Sequence, residues 1–224
     1  MKTQVNPSAL AYLKDLKNNN TRVWFNETKP RFLAEQAKIK DFHNAMQDNI
    51  ELHDKIDRYK LYRIYRDVRF SKDKTPYQPH FAAHFSRLGA ELRGGYYLRI
   101  RPGESFIAGG FWNPNKEDLH RIRKEFEYDA GEFRAILNNE NFKKAFPDFK
   151  GESLKTAPRG FDKNHPDIDL IRRKGFVAVR ELSDKEVLDK DFLKHIDSYF
   201  KALRPFFDYM SSVLTTDLNG ESLL

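Results

Sequence analysis

GYYLRIRPGESFIAGGFW, residues 95–112, decides the fold. At its centre Arg101-Pro102-Gly103-Glu104 puts Pro second and Gly third in a type II turn, whose third residue needs a positive φ. On either side lies a short aromatic-rich run, 96–101 and 106–112, with the length and composition of a strand. The stretch therefore predicts a hairpin. Outward from it, 81–87 and 63–70 show the same character between Gly and Pro punctuation, and Leu88-Gly89 with Gly94-Gly95 marks another reversal. Strands this close, with no crossover helix between them, pair antiparallel, which disfavours a doubly wound nucleotide fold. Gly109-Gly110 within the last run is read as a point of close packing or a bulge.

Helical patterns flank this region. Asn6-Pro7 is an N-cap followed by Pro at the first helical position, and Leu10, Leu13 and Leu16 then share one face before Asn18-Asn19-Asn20. A long amphipathic helix is predicted from Pro30 to about Ile50, with Phe32, Ile39, Phe42 and Met46 on its apolar side. Helical periodicity returns after Asn113-Pro114, at 119–126 and 133–137. Residues 147–169 read as a long Pro- and Gly-rich loop, 175–182 as a late strand, and Ser183-Asp184-Lys185-Glu186 as a capping box opening a helical region interrupted at Pro205. The order predicts a single α+β domain over residues 1–224, a central and mainly antiparallel sheet flanked by N-terminal and C-terminal helices, which the late strand rejoins.

The 224 residues carry 40 Lys and Arg against 33 Asp and Glu, a net charge of +7. That excess is local. Residues 58–101 hold eleven basic residues against three acids, so the rest of the chain is close to neutral. There is no cysteine, which excludes disulfides, thiolate nucleophiles and Cys-ligated metals. With no apolar leader-like start and no long apolar run, the expectation is a cytoplasmic protein that does not enter a membrane.

The densest chemistry lies in RIYRDVRFSKDKTPYQPHF, residues 63–81. If 63–70 is extended, Arg63, Tyr65, Asp67 and Arg69 share a face and Arg66 lies on the other. Asp67 between two arginines would orient their guanidinium forks, which suit carboxylate or phosphate oxygens. Lys72, Asp73 and Lys74 follow in a turn that adds ammonium groups beside them. The alternative reading is a structural lattice in which the aspartates neutralise arginines at a sheet edge. Residues 154–167, with Arg159, form a loop able to close over a ligand, or one that merely covers the core.

The run RIYRDVRFSKDKTPYQ resembles the signature of a family of conserved hypothetical proteins of bacteria and fungi, domain of unknown function family 2461. NNN-x-R-x-WF at 18–25, GYYLRIRPGESFIAGGFWNP at 95–114 and LKTAPRGFDKNHPDIDLIRRKGF at 154–176 agree with it, so the resemblance spans roughly residues 8–215. Gln78 departs from the family pattern, which usually has Lys there. The resemblance implies one α+β domain and supplies no activity or catalytic residues.

Established catalytic patterns are missing. No G-x-S-x-G elbow, Walker A loop or G-x-G-x-x-G occurs, and His80-Phe81-Ala82-Ala83-His84 has Phe where a zincin needs Glu. No metal or other cofactor is expected. The preferred expectation is a pocket for a small anionic ligand, bearing phosphate or carboxylate, built from the central strands and the 154–167 loop. Arg63, Arg66, Arg69, Lys72 and Lys74 would contact the anion, Asp67 and Asp73 would orient them, and Tyr77, Arg99 and Arg159 would line the rim. The rival is a nucleic-acid-binding module that uses residues 58–101 as a basic stripe interleaved with Tyr62, Tyr65, Phe70, Tyr77, Tyr96 and Tyr97.

Overall fold

The computed structural model describes residues 4–224; residues 1–3, where the domain expected over 1–224 begins, lie outside the described residues. Asn6 caps α1 (Pro7–Asn18), its side chain accepting the Ser8 N–H at 3.0 Å. α2 (Arg22–Glu51) starts ahead of the expected Pro30, capped by Thr21, and runs through that proline. A proline inside a helix removes one backbone bond. Here the helix is held on both sides of it by buried Phe25 and Phe32, whose rings lie 5.2 Å apart.

The strands are β1 (Ile56–Leu61), β2 (Phe81–Arg87), β3 (Gly95–Ile100), β4 (Ser105–Phe111), β5 (Asp148–Lys150) and β6 (Phe176–Leu182). They form one six-stranded sheet in the order β1-β2-β3-β4-β6-β5 with every pairing antiparallel. The β3–β4 hairpin turns as expected, with Gly103 at φ +72° and the Glu104 N–H donating to the Arg101 carbonyl at 2.9 Å. The expected strand at 63–70 is not one. Residues 62–80 are a loop whose β pairing is confined to the isolated Tyr65–Tyr77 bridge, while the first strand is the more polar IDRYKL at 56–61. An edge strand can carry charges on its solvated side, which hides it from an apolar-alternation reading.

Helices α3 (Lys116–Tyr128), α4 (Gly131–Asn138) and α5 (Glu140–Ala145) precede β5, and α6 (Ile168–Ile171) precedes β6. The capping box forms as expected on Ser183 and Glu186, but it opens only the single turn α7 (Asp184–Val187). α8 (Phe192–Ala202) then gives way to α9 (Arg204–Thr215) at Pro205. The class is therefore α+β, with helices at both ends of the chain and one antiparallel sheet between them.

Strand parity sorts the sheet into two unlike faces. Phe85, Tyr96, Ile107 and Phe176 point to the helices and are fully buried, Tyr96 against Phe200 and Phe207, Phe176 against Phe126. Gly109 has no room for a side chain on this face, since a Cβ there would lie 2.3 Å from Leu203 Cδ1. The opposite face carries only a small separate cluster, Ala108, Val177 and Val179, with Tyr97 and Phe106 against it. Among the described residues no helical residue lines this face's groove, and the site is built on this open side.

Candidate functional site

The register lays side chains in rows across the open face. Lys60 pairs with His84, His84 with Tyr97, Tyr97 with Ala108, Ala108 with Val179 and Val179 with Asp148. The next row runs from Ala82 through Arg99 and Phe106 to Glu181. Between the polar ends the floor is low and apolar, and above it opens a groove of about 710 Å³. Its floor holds Ala108, Val177 and Val179 together with Gly95 and Gly110. Gly95 is enforced locally, because a Cβ there would come within 2.7 Å of His84 Nε2.

Aromatic rings wall the groove and connect two cations. Lys60 Nζ sits 5.1 Å from the Tyr62 ring centre, Tyr62 meets Tyr97 edge-on at 6.1 Å, Tyr97 meets Phe106 at 5.4 Å, and the Arg99 guanidinium lies 4.3 Å over Phe106. Cation–aromatic contacts of this kind hold a charge in place without neutralising it. Trp112, 74% exposed, stands at another side of the groove. Lys150 closes the far end but is already within 3.8 Å of Asp148 and 3.6 Å of Glu181.

Burial and the neighbouring Arg58 and Lys60 push the His84 imidazole below the ordinary histidine range, so it is neutral at pH 7. Burial likewise raises the Tyr97 hydroxyl, which keeps its proton. Burial, and after it Arg101, lowers the Arg99 guanidinium, whose remaining hydrogen bonds go to the Glu104 carbonyl. The groove therefore offers a neutral imidazole, a protonated phenol and a fixed cation around an apolar floor.

The residues singled out from the sequence are dispersed. Arg99 alone lines the groove. Arg63, Asp67, Arg69, Lys72, Asp73 and Lys74 lie on the 62–80 loop beyond the β1–β2 edge. Asp67 and Arg69 are exposed and bound to one another at 2.7 Å, and that contact holds the Asp67 carboxyl down at about 2. Lys74 donates to the Val68 carbonyl, and Asp73 caps Thr75. Tyr77 does not line a rim: it is buried and stacked on Phe25 at 4.0 Å. Arg66 is largely buried, pairs with Asp73 at 3.0 Å, and is the member of the run whose charge acts on His80 together with those of Arg99 and Arg101.

The 154–167 loop sits at the other edge of the sheet and contributes no residue to the groove. Phe161 packs on His120 with Lys124 above its ring, His165 bonds the Glu127 carbonyl and Asp167 binds Arg134. It is a covering loop on α3 and α4, and Arg159 occupies an exposed turn of it. The expected pocket between this loop and the basic run is thus not assembled.

What sequence reading missed is the groove itself: His84, Phe106, Trp112, Lys150 and Val179. The usable signal was SFIAGGF, 105–111, apolar or small at both parities, which in an antiparallel strand means that neither face is simply solvated. Among the described residues no cluster of His, Asp and Glu could hold a metal ion, and no helix is long and apolar enough to cross a membrane. The family model described as conserved hypothetical protein (DUF2461) matches residues 8–209. No curated protein matches, and no solved structure does.

Proposed function

The chain belongs to that family of conserved hypothetical proteins, and from this premise we propose that it is a cytoplasmic ligand-binding domain whose open sheet face takes a small molecule with a planar apolar body and an anionic group. The observation that carries this reading is the uncovered face: an apolar floor of Ala108, Val177 and Val179, ringed by Tyr62, Tyr97, Phe106 and Trp112 and ending at Arg99. An apolar hollow of about 710 Å³ is the size that small-ligand pockets have. Its aromatic walls favour a flat occupant, and the stacked Arg99 favours a negative end.

Trp112 provides the test. The chain has two tryptophans, so Trp24→Phe leaves Trp112 as the sole reporter. Aromatic carboxylates and nucleoside monophosphates, titrated to millimolar concentration, should quench its fluorescence saturably, and Val179→Glu in the floor should abolish that quenching without unfolding the chain. If no member of either class moves Trp112, or if Val179→Glu leaves quenching intact, the reading fails.

A second reading has its own observation. Phe70, 95% exposed, and Tyr65 stand on the 62–80 loop beside Arg63, Arg69, Lys72 and Lys74, the combination that single-stranded nucleic acid uses. It requires oligonucleotide binding at low salt whose affinity falls steeply as salt rises. Charge reversal at Lys72 and Lys74 should weaken that binding and leave Trp112 quenching by small anions unchanged.

A further inference from the structure

The groove has two charged ends, and they differ. Lys150 at one end is matched by Asp148 and Glu181. At the other end, the β2–β3 register carries the chain past its last pair, Phe81 with Ile100, so that His80 and Arg101 come side by side on the same face as Arg99. The 62–80 loop folds back onto this spot: the Arg66 N–H donates to the Pro76 carbonyl at 2.9 Å and the Gln78 N–H to the Ile64 carbonyl at 2.7 Å. The charges of Arg99, Arg101 and Arg66 all act on the His80 ring.

Two nitrogens in this cluster are buried with no polar partner, Arg66 Nε and His80 Nδ1, while Arg101 Nε makes no hydrogen bond but lies 3.3 Å from a Glu104 carboxylate oxygen. A buried donor left unmatched costs about 1–3 kcal/mol, more when charged, so the unmatched Arg66 Nε favours an incoming acceptor. The charge balance points the same way. Three guanidinium groups face two carboxylates, Asp73 at 3.0 Å from Arg66 and Glu104 at 3.3 Å from Arg101, and both carboxylates are about half exposed.

We propose that Arg66, His80, Arg99 and Arg101 form an oxyanion subsite that holds the phosphate-monoester or carboxylate group of the ligand. This rests on the ligand-binding reading of the groove, and it assigns the anionic group to the Arg99 end and away from Lys150. Arginine forks match the oxygens of either anion, and Arg99 joins the subsite to the groove because its guanidinium already lies over Phe106. Asp73 and Glu104 act as counter-charges that keep the arginines apart until an anion binds. Burial first, then Arg99, Arg101 and Arg66, push His80 down to about 4, so the ring is neutral at pH 7 and an anion in the subsite must raise that value.

The experiment is NMR on the whole chain at about pH 6.5, above the range in which His80 titrates, following the arginine Nε–Hε and His80 ring resonances. Inorganic phosphate and acetate are titrated to tens of millimolar against chloride at equal ionic strength. Phosphate, acetate or both should shift Arg66 and Arg101 saturably where chloride does not, and the stronger arm names the group. Arg66→Gln and Arg101→Gln should each weaken binding about tenfold or more, the size of one charge-assisted hydrogen bond, while Arg159→Gln leaves it unchanged. Shifts equal to those of chloride, or unaltered in both glutamine variants, overturn the subsite. Trp112 reports separately on the groove, so saturable shifts here with no Trp112 quenching by any planar anion would sink the groove reading and leave the subsite standing.

Discussion

Arg87 Nε donates to Asp54 Oδ2 at 2.7 Å, and neither side chain is more than 1% exposed. The pair is fully engaged: the Tyr96 hydroxyl donates to the same carboxylate at 2.6 Å, Arg204 lies 3.1 Å from its other oxygen, and Arg87 also reaches Asp208 and Ser211. It locks the end of β2 to α9. Arg87→Met or Asp54→Asn should each cost roughly 3–5 kcal/mol, because each leaves a buried partner uncompensated. Asp54→Asn combined with Arg87→Met should cost less than the two singles together. Urea unfolding with an unchanged slope checks this, and simple additivity would show that the residues are not coupled.

His43 sets an acid limit on stability. Its Nδ1 is bonded to the Tyr59 hydroxyl at 2.8 Å, and burial pushes the imidazole down to about 3. The folded value lies below the unfolded one, so the unfolded chain takes up a proton that the folded chain refuses. Its contribution is intact above about pH 6.5 and is lost progressively as pH falls toward 3. The slope is about 1.4 kcal/mol per pH unit for each such histidine, and His80 and His84 are lowered in the same direction. His43→Gln should flatten the dependence of unfolding free energy on pH by about one proton between roughly pH 6 and 4.5. An unchanged slope would contradict the assignment.

Three glycines should respond in a fixed order to alanine. Gly103 has φ +72° with nothing within 4 Å, so Gly103→Ala meets only the left-handed penalty of about 1–2 kcal/mol. Gly109→Ala collides with Leu203 Cδ1, the end of a flexible side chain, and should cost about 1–3 kcal/mol. Gly110 combines φ +144° with a Cβ only 2.1 Å from the Phe176 carbonyl, and backbone does not give way. Gly110→Ala should therefore be the most destabilising of the three by thermal melting, and a smaller effect than that of Gly109→Ala would refute the close approach of the β6 backbone to Gly110.

The sheet was legible wherever local pattern and tertiary role coincide. Phe81–Arg87, the turn at Gly103, the late strand and the break at Pro205 all follow from short-range chemistry. β1 was hidden because Asp57, Arg58 and Lys60 lie on an edge strand with a register shift near Ile56, so its polar side needs no apolar alternation. RIYRDVRF alternates like a strand, yet no partner strand remains for it once β1 occupies the edge. The groove escaped because charge drew attention to the loop, and only pairing reveals that Lys60, His84, Tyr97, Ala108, Val179 and Asp148 form one row. Of the expected anion residues, Arg66 and Arg99 both act on His80 because Arg66 folds inward with the loop, which no local periodicity reports.

Tyr77 carries the clearest consequence of that difference. The sequence run places it at a ligand rim, whereas the structure buries it at 3% exposure, stacked on Phe25 and touching Tyr65, with Asn20 bonded to its backbone on both sides. It is the anchor that fixes the 62–80 loop and, with it, the position of Arg66. Tyr77→Ala should cost about 3–5 kcal/mol, the range for removing a large buried aromatic side chain. Tyr77→Phe keeps the stack and should cost about 1 kcal/mol or less. If the loop's anchoring is what presents Arg66, Tyr77→Ala should also weaken phosphate or acetate binding in chain that is still folded, while Phe70→Ser, altering a side chain 95% exposed on the same loop, should change neither stability nor that binding. A Tyr77→Ala protein as stable as the parent would return the residue to the surface and undo the link between the loop and the subsite.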